Sequence, residues 1–228
     1  MKKMTVFLLA LSMIGTLTAC GQAHTETSTA ADSIVVESIA ESIADINTSE
    51  ESKVTEAGQT EETQMETKIL VAYFSATHNT EGVAEKIADG LNADLYEIVP
   101  EQPYTDADLD YHDNNSRSTL EMADASVRPE ISGTVENMDQ YDIVFIGYPI
   151  WWGDAPRILS TFVESYDFSG KTIVPFCTSG SSGIATSASN LEQLTDEATW
   201  LSGQRLESGA SVDTVMEWVD SLGLNLNH

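Results

Sequence analysis

The chain has 228 residues, which is enough for one ordinary domain with attachments or for two small domains. It contains 37 Asp and Glu residues against 10 Lys and Arg residues, and its formal charge is -27. This charge argues against binding to nucleic acid or to anionic lipid headgroups, because both need a positive protein surface. Two cysteines exclude a disulfide framework, and the sequence contains no paired Cys and His motif for a metal.

The first 20 residues have the features of a secretory signal. Two lysines precede an apolar run at residues 4–17, which is too short for a transmembrane helix of about 20 residues. A Leu-Thr-Ala triplet directly precedes Cys20. Residues 1–20 therefore resemble a bacterial lipoprotein signal peptide, and the resemblance implies that the Cys20 thiol carries a lipid and anchors an extracytoplasmic protein to the cell membrane. The alternative is a cleaved secretory signal with an incidental cysteine.

Residues 21–66 are expected to form an acidic, disordered tether. They contain 11 acidic residues, one base and no aromatic residue, so they cannot bury enough apolar surface to offset the loss of chain entropy on ordering. Within residues 33–46, four aliphatic residues recur at helical spacing. A partner-binding helix and a transient helix in a solvated linker both fit this pattern, and the short, uncapped segment favours the second.

Strand and helix signals alternate from residue 67 to residue 228, and they predict one domain. Continuous apolar runs are typical of strands covered on both faces, and apolar residues at three- and four-residue spacing are typical of helices. Strands are predicted at residues 68–74, 93–99, 141–148, 171–177 and 200–206, the second more polar and therefore near an edge. Helices are predicted at residues 80–91, around 118–125, at 156–166 with Pro156 first, at 186–195, and at a last segment marked by Val212, Val215, Met216, Val219 and Leu222.

This alternation predicts an α/β fold with a parallel sheet and helices on both faces. In such sheets a ligand binds beyond the carboxyl ends of the strands, where the winding direction changes. The rule selects the loops at residues 75–80, 148–156 and 178–185.

The first loop is rich in hydroxyl groups. Ser75, Thr77 and Thr80, together with free amides at the start of the next helix, can cradle a phosphate without a lysine. The loop is neither a nucleotide P-loop nor a Gly-x-Gly-x-x-Gly turn. Its alternative interpretation is an ordinary N-cap in a strand–helix turn.

The second loop carries two adjacent tryptophans, Trp151 and Trp152, between Pro149 and Pro156. Because exposed indoles give no folding benefit, we expect a planar ligand to cover at least one of them. The alternative is that both rings fold over the end of the sheet. The third loop offers small residues and glycines that let the backbone approach a ring closely, although alone it is also typical of a flexible loop.

The sequences of these loops resemble those of a known protein family. The first strand and loop read Tyr-Phe-Ser…Asn-Thr, and the second loop reads Tyr-Pro-x-Trp-Trp-Gly. Residues 68–224 resemble a short flavodoxin-like family of bacterial proteins. The resemblance implies a three-layer sandwich with a five-stranded parallel sheet in the order 2-1-3-4-5 and a non-covalently bound FMN. It implies that the phosphate is held by Ser75, Thr77, Asn79 and Thr80, that the ring is lined by Pro149, Ile150, Trp151, Trp152 and Gly153, and that its other edge meets Thr178, Ser179, Gly180 and Gly183.

Three further residues, His78, Arg128 and Cys177, lie in or near the predicted site and need separate interpretation. Loops of this kind commonly have glycine at the position of His78, whose imidazole could assist the phosphate or weaken the site. Residues 111–131 resemble the long loop that covers the flavin, which makes Arg128 the base near the site; it either contacts an anionic substrate or, as we favour, pairs with a nearby carboxylate. Cys177 is interpreted as a small buried hydrophobic residue rather than a redox group.

The sequence thus predicts a lipid-anchored, FMN-binding protein that acts in electron transfer or as an FMN-dependent oxidoreductase on a small acceptor such as a quinone. The domain holds 26 acidic and 7 basic residues. The negative electrostatic field of this excess would steer a basic partner protein to its surface. No catalytic residue is assigned. The alternative is a non-catalytic extracytoplasmic lipoprotein that binds a planar ligand and has lost flavin.

Overall fold

The structure is a computed structural model that describes residues 67–224 and 226. The signal peptide, Cys20 and the tether at residues 21–66 lie outside these residues. Within the described part of the chain, no helix is both long enough and apolar enough to cross a membrane.

Short strands and helices alternate along the domain. The strands are β1 (Ile69–Tyr73), β2 (Asp94–Glu97), β3 (Val99–Pro100), β4 (Ile131–Ser132), β5 (Ile143–Pro149), β6 (Thr172–Thr178), β7 (Thr199–Trp200) and β8 (Gln204–Leu206). The helices are α1 (Glu81–Leu91), α2 (Arg117–Ala123), α3 (Arg157–Glu164), α4 (Ala185–Glu192) and α5 (Val212–Ser221), with a 3-10 turn at Met138–Gln140.

The central sheet is parallel and has the order β2-β1-β5-β6-β7, with β8 also paired to β6. Counting β7 and β8 as one interrupted strand, this is the predicted order 2-1-3-4-5. The α/β fold and the flavodoxin-like topology predicted from the sequence are therefore confirmed. Strand β2 lies at one edge, as its polar sequence predicted, and most of its residues are exposed.

Helices cover both faces of the sheet. On one face, α1 and α5 pack their buried aliphatic residues against alternate residues of β1 and β5, such as Val71 and Phe145. On the other face, α3 and α4 pack against the intervening residues, such as Ala72 and Ile146. Since successive side chains of a strand point to opposite faces, one apolar run supplies both cores. The resulting rigid sheet fixes the positions of the three loops at its carboxyl end.

The fifth strand is interrupted for a local reason. Ile173 pairs with Trp200, and Phe176 pairs with Gln204. Between these two pairs the chain advances by three residues on β6 and by four residues on the outer strand, so the outer strand has one extra residue. Such an extra residue is a bulge, and it lies opposite Pro175, which has no N–H to donate. Gly203 fits there because a Cβ would lie 2.6 Å from the Pro175 carbonyl oxygen.

Several element bounds differ from the predictions. The predicted strand at 93–99 ends at Glu97, and Val99–Pro100 instead pairs with Ile131–Ser132 in a small antiparallel ladder. Pro156 precedes the first residue of α3 rather than occupying that position. The predicted helix at 186–195 ends at Glu192. Val212, assigned to the apolar face of α5, is the first residue of the helix and is 51% exposed.

Candidate functional site

A cavity of about 430 Å³ opens at the carboxyl ends of β1 and β5, where the topology rule places a ligand. It is lined by Ala76, Thr77, Leu109, Tyr111, Ser118, Pro149, Ile150, Trp151 and Trp152. Its size is typical of a site for a small organic ligand, for which about 300–1,000 Å³ is usual. The lining is mainly apolar and aromatic, so the cavity suits a flat, weakly polar molecule.

The second loop presents its tryptophans through a tight turn. Trp151 and Asp154 exchange two backbone hydrogen bonds of 2.9 Å, and both residues between them have positive φ, 48° at Trp152 and 83° at Gly153. Two positive φ values are typical of a type I′ turn, which favours Asn-Gly at its centre. A tryptophan there is strained, and strained backbone is concentrated at functional sites. The turn places the Trp152 indole at its tip.

The two tryptophans have different environments. The Trp151 ring packs edge-on against Phe74, at 5.5 Å between ring centroids, and against Tyr104, at 5.2 Å. Trp152 is 49% exposed, and Tyr111, which lines the same cavity, is 70% exposed. Trp151 therefore belongs to the packed wall of the cavity, whereas the alternative drawn from the sequence placed both rings over the sheet end. Trp152 and Tyr111 leave open aromatic surface at the cavity.

The first loop has a buried base and an exposed tip. Ser75 and Thr80 are buried, and the Thr80 amide donates to Ser75 Oγ at 3.1 Å. Thr77, His78 and Asn79 are exposed, and the Asn79 side chain donates to Thr77 Oγ1 at 3.0 Å. The loop leads directly into α1, whose first-turn amides and dipole favour a negative charge at this end of the helix.

His78 has a φ of 61°, the left-handed conformation that glycine adopts most readily. Its Nδ1 lies 2.5 Å from a carboxylate oxygen of Glu81, the first residue of α1. The imidazole thus contacts the carboxylate at the first position of the helix that follows its loop. The second oxygen of Glu81 accepts a hydrogen bond from the Tyr73 hydroxyl at 3.4 Å.

The third loop connects to the other two by hydrogen bonds. Thr178 Oγ1 lies 2.8 Å from Thr80 Oγ1, and the Thr178 carbonyl accepts from the Ile150 amide at 3.1 Å. Ser179 Oγ accepts from the amides of Ser181 and Ser182, which shapes the loop. Gly180 and Gly183 have open space around them. Thr178, Ser179, Gly180 and Gly183 do not line the 430 Å³ cavity.

Residues 101–124, which we call the cover segment, form the remaining wall. Tyr104 donates to Glu121 Oε2 at 2.5 Å and carries the Arg117 guanidinium over its ring at 4.1 Å. Arg117 also donates to Glu121 Oε1 at 2.6 Å. Burial and the Glu121 contact raise the pKa of Tyr104 far above its usual value, so it remains a neutral hydrogen-bond donor. This cluster holds Tyr104 in place beside Trp151.

A second set of contacts joins the tryptophan turn to the cover segment. Asp154 Oδ2 accepts from Arg157 at 3.0 Å, and Arg157 donates in turn to the Met122 carbonyl at 3.2 Å. Because Asp154 closes the turn and Met122 lies in α2, these bonds hold the two walls of the cavity in fixed positions.

Comparison with known proteins identifies the family. A family model described as Flavodoxin matches residues 68–222. The chain belongs to the flavodoxin family. A comparison with curated proteins gives no match.

Solved structures agree with this assignment. A Bacteroides eggerthii protein described as a flavoprotein is 47% identical, with a TM-score of 0.66 over 69% of this chain and 99% of that chain. A Bacteroides uniformis protein with the same description is 46% identical, with a TM-score of 0.66 over 68% and 99%. A Lactobacillus acidophilus flavoprotein, solved in complex with FMN, is 21% identical, with a TM-score of 0.54 over 69% and 99%, and shows the shared fold.

The structure of this flavodoxin-family domain brings together part of the predicted residue set. Five of the predicted residues line the cavity: Thr77, Pro149, Ile150, Trp151 and Trp152. Leu109 and Ser118 also line it, although no sequence signal marks them, because residues 100–140 show little periodicity. Tyr111 lines it as well, and it is the first residue of the predicted cover at residues 111–131.

Arg128 lies away from the cavity. Its guanidinium makes two hydrogen bonds to Glu164, of 2.6 and 2.8 Å, and so forms the carboxylate pair that we favoured from the sequence. It is not the base near the site, since Arg117 and Arg157 belong to the two networks that support the cavity walls. Among the described residues, no group of three His, Cys, Asp or Glu residues could hold a metal.

Proposed function

We propose that this domain binds FMN non-covalently in the 430 Å³ cavity and acts in electron transfer. The observation that carries this proposal is the exposed aromatic surface of Trp152 and Tyr111 at an apolar cavity, at the sheet end where this family's topology places a ligand. Bound FMN would supply the redox chemistry, while the protein binds it, orients it and limits what approaches.

The residues present fit FMN. Trp152 and Tyr111 offer faces for stacking a planar ring, and Thr77 connects the cavity to the phosphate-type loop at residues 75–80. That loop offers hydroxyl groups and the start of α1 for the phosphate, with His78 in the left-handed conformation that the turn requires. The 21%-identical Lactobacillus relative, which binds FMN, has the same fold.

Electron transfer fits this cavity better than acid–base catalysis. None of its lining residues in the described part of the chain is Asp, Glu, His, Lys or Arg. A cavity without such groups offers no proton donor or acceptor beyond hydroxyls. The acceptor is proposed to be either a basic protein, steered by the acidic surface, or a small quinone-like molecule.

The experiment is an FMN titration of apo residues 67–228. The matched part of this chain spans 99% of the crystallised Bacteroides eggerthii relative, so we expect residues 67–228 to fold on their own. We expect flavin fluorescence to be quenched on binding and the yellow bands to remain after desalting. A protein that stays colourless and does not quench FMN would overturn the proposal and favour the non-catalytic binding of another planar ligand.

A second measurement separates an enzyme from a carrier. The loaded domain is mixed with NADH or NADPH and a quinone, and turnover is compared with that of free FMN. Multiple turnovers above the free-FMN rate support an oxidoreductase. Reduction only by a chemical reductant, followed by rapid oxidation by a basic redox protein at low salt, supports a carrier.

We also propose that the mature protein is attached to the cell membrane through Cys20. The support is the lipoprotein-type signal at residues 1–20 and the acidic residues 21–66, whose like charges would hold the domain away from an anionic membrane surface. The test is fractionation of cells that express the full chain or its Cys20→Ser variant. Membrane association that depends on Cys20 supports the anchor, and association that survives the substitution overturns it.

A further inference from the structure

The hydroxyl of Ser118 has no hydrogen-bond partner. Among the described residues, only three buried side-chain polar atoms lack one: Tyr96 Oη, Ser118 Oγ and Arg157 Nε. Ser118 is 1% exposed and is the one of these three residues that lines the 430 Å³ cavity. An unpaired buried hydroxyl destabilises a folded protein, because it has lost its hydrogen bonds to water.

Its position is fixed by the backbone. Ser118 lies in the first turn of α2, which is capped by the Ser116 side chain. The Ser118 amide donates to the Asp108 carbonyl at 3.0 Å, and this bond joins α2 to the part of the cover segment that carries Leu109 and Tyr111. The backbone therefore holds Ser118 at the cavity wall, and the side chain cannot move to solvent without disturbing α2.

The surroundings define what such a group can do. The cavity is apolar and aromatic, and in ligand sites of this kind a few fixed polar groups determine how the ligand is oriented. In the cover segment, Ser118 Oγ is a buried polar atom that remains available for a hydrogen bond. The Tyr104 hydroxyl is already bonded to Glu121. A hydroxyl can donate one hydrogen bond and also accept, so it matches a carbonyl or ring nitrogen at the edge of a planar heterocycle.

We propose that Ser118 Oγ makes a hydrogen bond to a polar edge atom of the bound flavin ring, and that it determines the orientation of the ring in the cavity. The unpaired hydroxyl is then a feature of the apo state that ligand binding satisfies. This inference rests on the proposed FMN site and adds to it a binding residue from α2, outside the three loops at the carboxyl ends of the strands.

The test is the Ser118→Ala variant of residues 67–228, with Ser189→Ala as the matched control. Ser189 lies in α4 and is exposed, so the control measures the gain in helix propensity from the same substitution. Two quantities are measured for each protein: the Tm of the apo form and the FMN dissociation constant. The inference predicts that they change in opposite directions for Ser118→Ala.

We expect Ser118→Ala to raise the apo Tm by about 2–4 °C, beyond the change in the control, because it removes an unsatisfied buried group. We expect the same variant to bind FMN about 3- to 10-fold more weakly, the range of one net hydrogen bond. Ser189→Ala should leave the dissociation constant unchanged.

Other outcomes overturn the inference. If Ser118→Ala binds FMN as tightly as the wild type, Ser118 makes no bond to the ring, while the proposed FMN site stands. If both the Tm and the affinity fall, the residue has a structural role only. If the wild-type domain itself does not bind FMN, the proposed function fails and this inference fails with it.

Discussion

The hydroxyl oxygens of Thr80 and Thr178 lie 2.8 Å apart, although the two residues are separated by 98 positions in the sequence. Both residues are buried, at 0% and 5% exposure. The contact joins the start of α1 to the end of β6, so the first and third loops are held together beneath the sheet end. Each hydroxyl satisfies the other, which permits both to be buried.

Thr178→Val should therefore lower stability. Valine has almost the same shape but leaves the Thr80 hydroxyl without this partner, which costs about 1–3 kcal/mol of unfolding free energy. Urea unfolding of the apo domain measures the change. Thr186→Val is the matched control, because Thr186 is exposed on α4, and it should change stability by about 0.5 kcal/mol or less. Equal effects of the two substitutions would contradict the role of the Thr80–Thr178 contact.

Substitution of the two tryptophans should have different effects, one mainly on FMN affinity and the other mainly on the stability of the apo domain. Trp152→Ala should weaken FMN binding about tenfold or more, since it removes a stacking face, and should change apo stability little because the side chain is half-exposed. Trp151→Ala should lower stability by about 3 kcal/mol, because it removes the ring that packs on Phe74 and Tyr104.

Fluorescence titration and thermal melts of both variants check this expectation. Val212→Ala serves as the control for loss of an exposed apolar side chain, since Val212 is 51% exposed and does not line the cavity. If Trp152→Ala leaves the FMN dissociation constant unchanged, the ring does not stack on this indole.

The sheet and two of its loops could be predicted from the sequence because their signals are local. The apolar runs at β1, β5 and β6 are unbroken, and the adjacent tryptophans stand out in any loop. The different environments of Trp151 and Trp152 could not be predicted, because they depend on Tyr104, which comes from an aperiodic polar segment 47 positions earlier in the chain.

The interruption of the last strand and the β3–β4 ladder were missed for a related reason. Both are made of two- or three-residue strands whose existence depends on their partners, Pro175 opposite Gly203 in one case and Ile131 opposite Pro100 in the other. Ser118 could not be identified either, because only the folded structure shows that its hydroxyl is buried without a partner.

Glu81→Gln should strengthen FMN binding. The Glu81 carboxylate lies at the first residue of α1 and contacts His78, so it occupies the positive end of the helix that a phosphate would use. Removing this negative charge should lower the FMN dissociation constant about 2- to 5-fold at low salt, and the gain should shrink at high salt.

Glu85→Gln is the matched control for Glu81→Gln, because it removes the same charge one turn further along α1 at an exposed position. It should change the dissociation constant less. An equal gain in FMN affinity in both variants would indicate a general effect of net charge rather than a local effect at the loop of residues 75–80.

Cys177 should be unreactive in the folded domain. The side chain is fully buried at the end of β6, and burial raises the pKa of its thiol to about 12, against a weaker opposing effect of Arg205. Only the thiolate is nucleophilic, so the neutral thiol should not react with Ellman's reagent at pH 8. Because Cys177 is the only cysteine of residues 67–228, unfolding in guanidinium should release one reactive thiol. Rapid labelling of the folded domain would contradict this expectation.

The Arg128–Glu164 pair should stabilise the domain only above acidic pH. The hydrogen bonds from Arg128 lower the pKa of Glu164 from its usual value of 4.5, so the stabilisation is present above that value and is lost as the pH falls through the lower, folded-state pKa. Both side chains are partly exposed, at 30% and 38%, and the coupling should be about 0.2–1 kcal/mol.

A double-mutant cycle with Arg128→Ala and Glu164→Gln isolates this coupling, since Arg128 also donates to two backbone carbonyls whose loss would affect a single variant. We expect a measurable coupling at pH 7 that is lost as the pH falls through the lowered, folded-state pKa of Glu164. The FMN dissociation constant should be unchanged in Arg128→Ala, because Arg128 does not line the cavity. A coupling that persists at low pH would show that the pair acts through packing rather than charge, and a weakened FMN affinity would return Arg128 to the binding site.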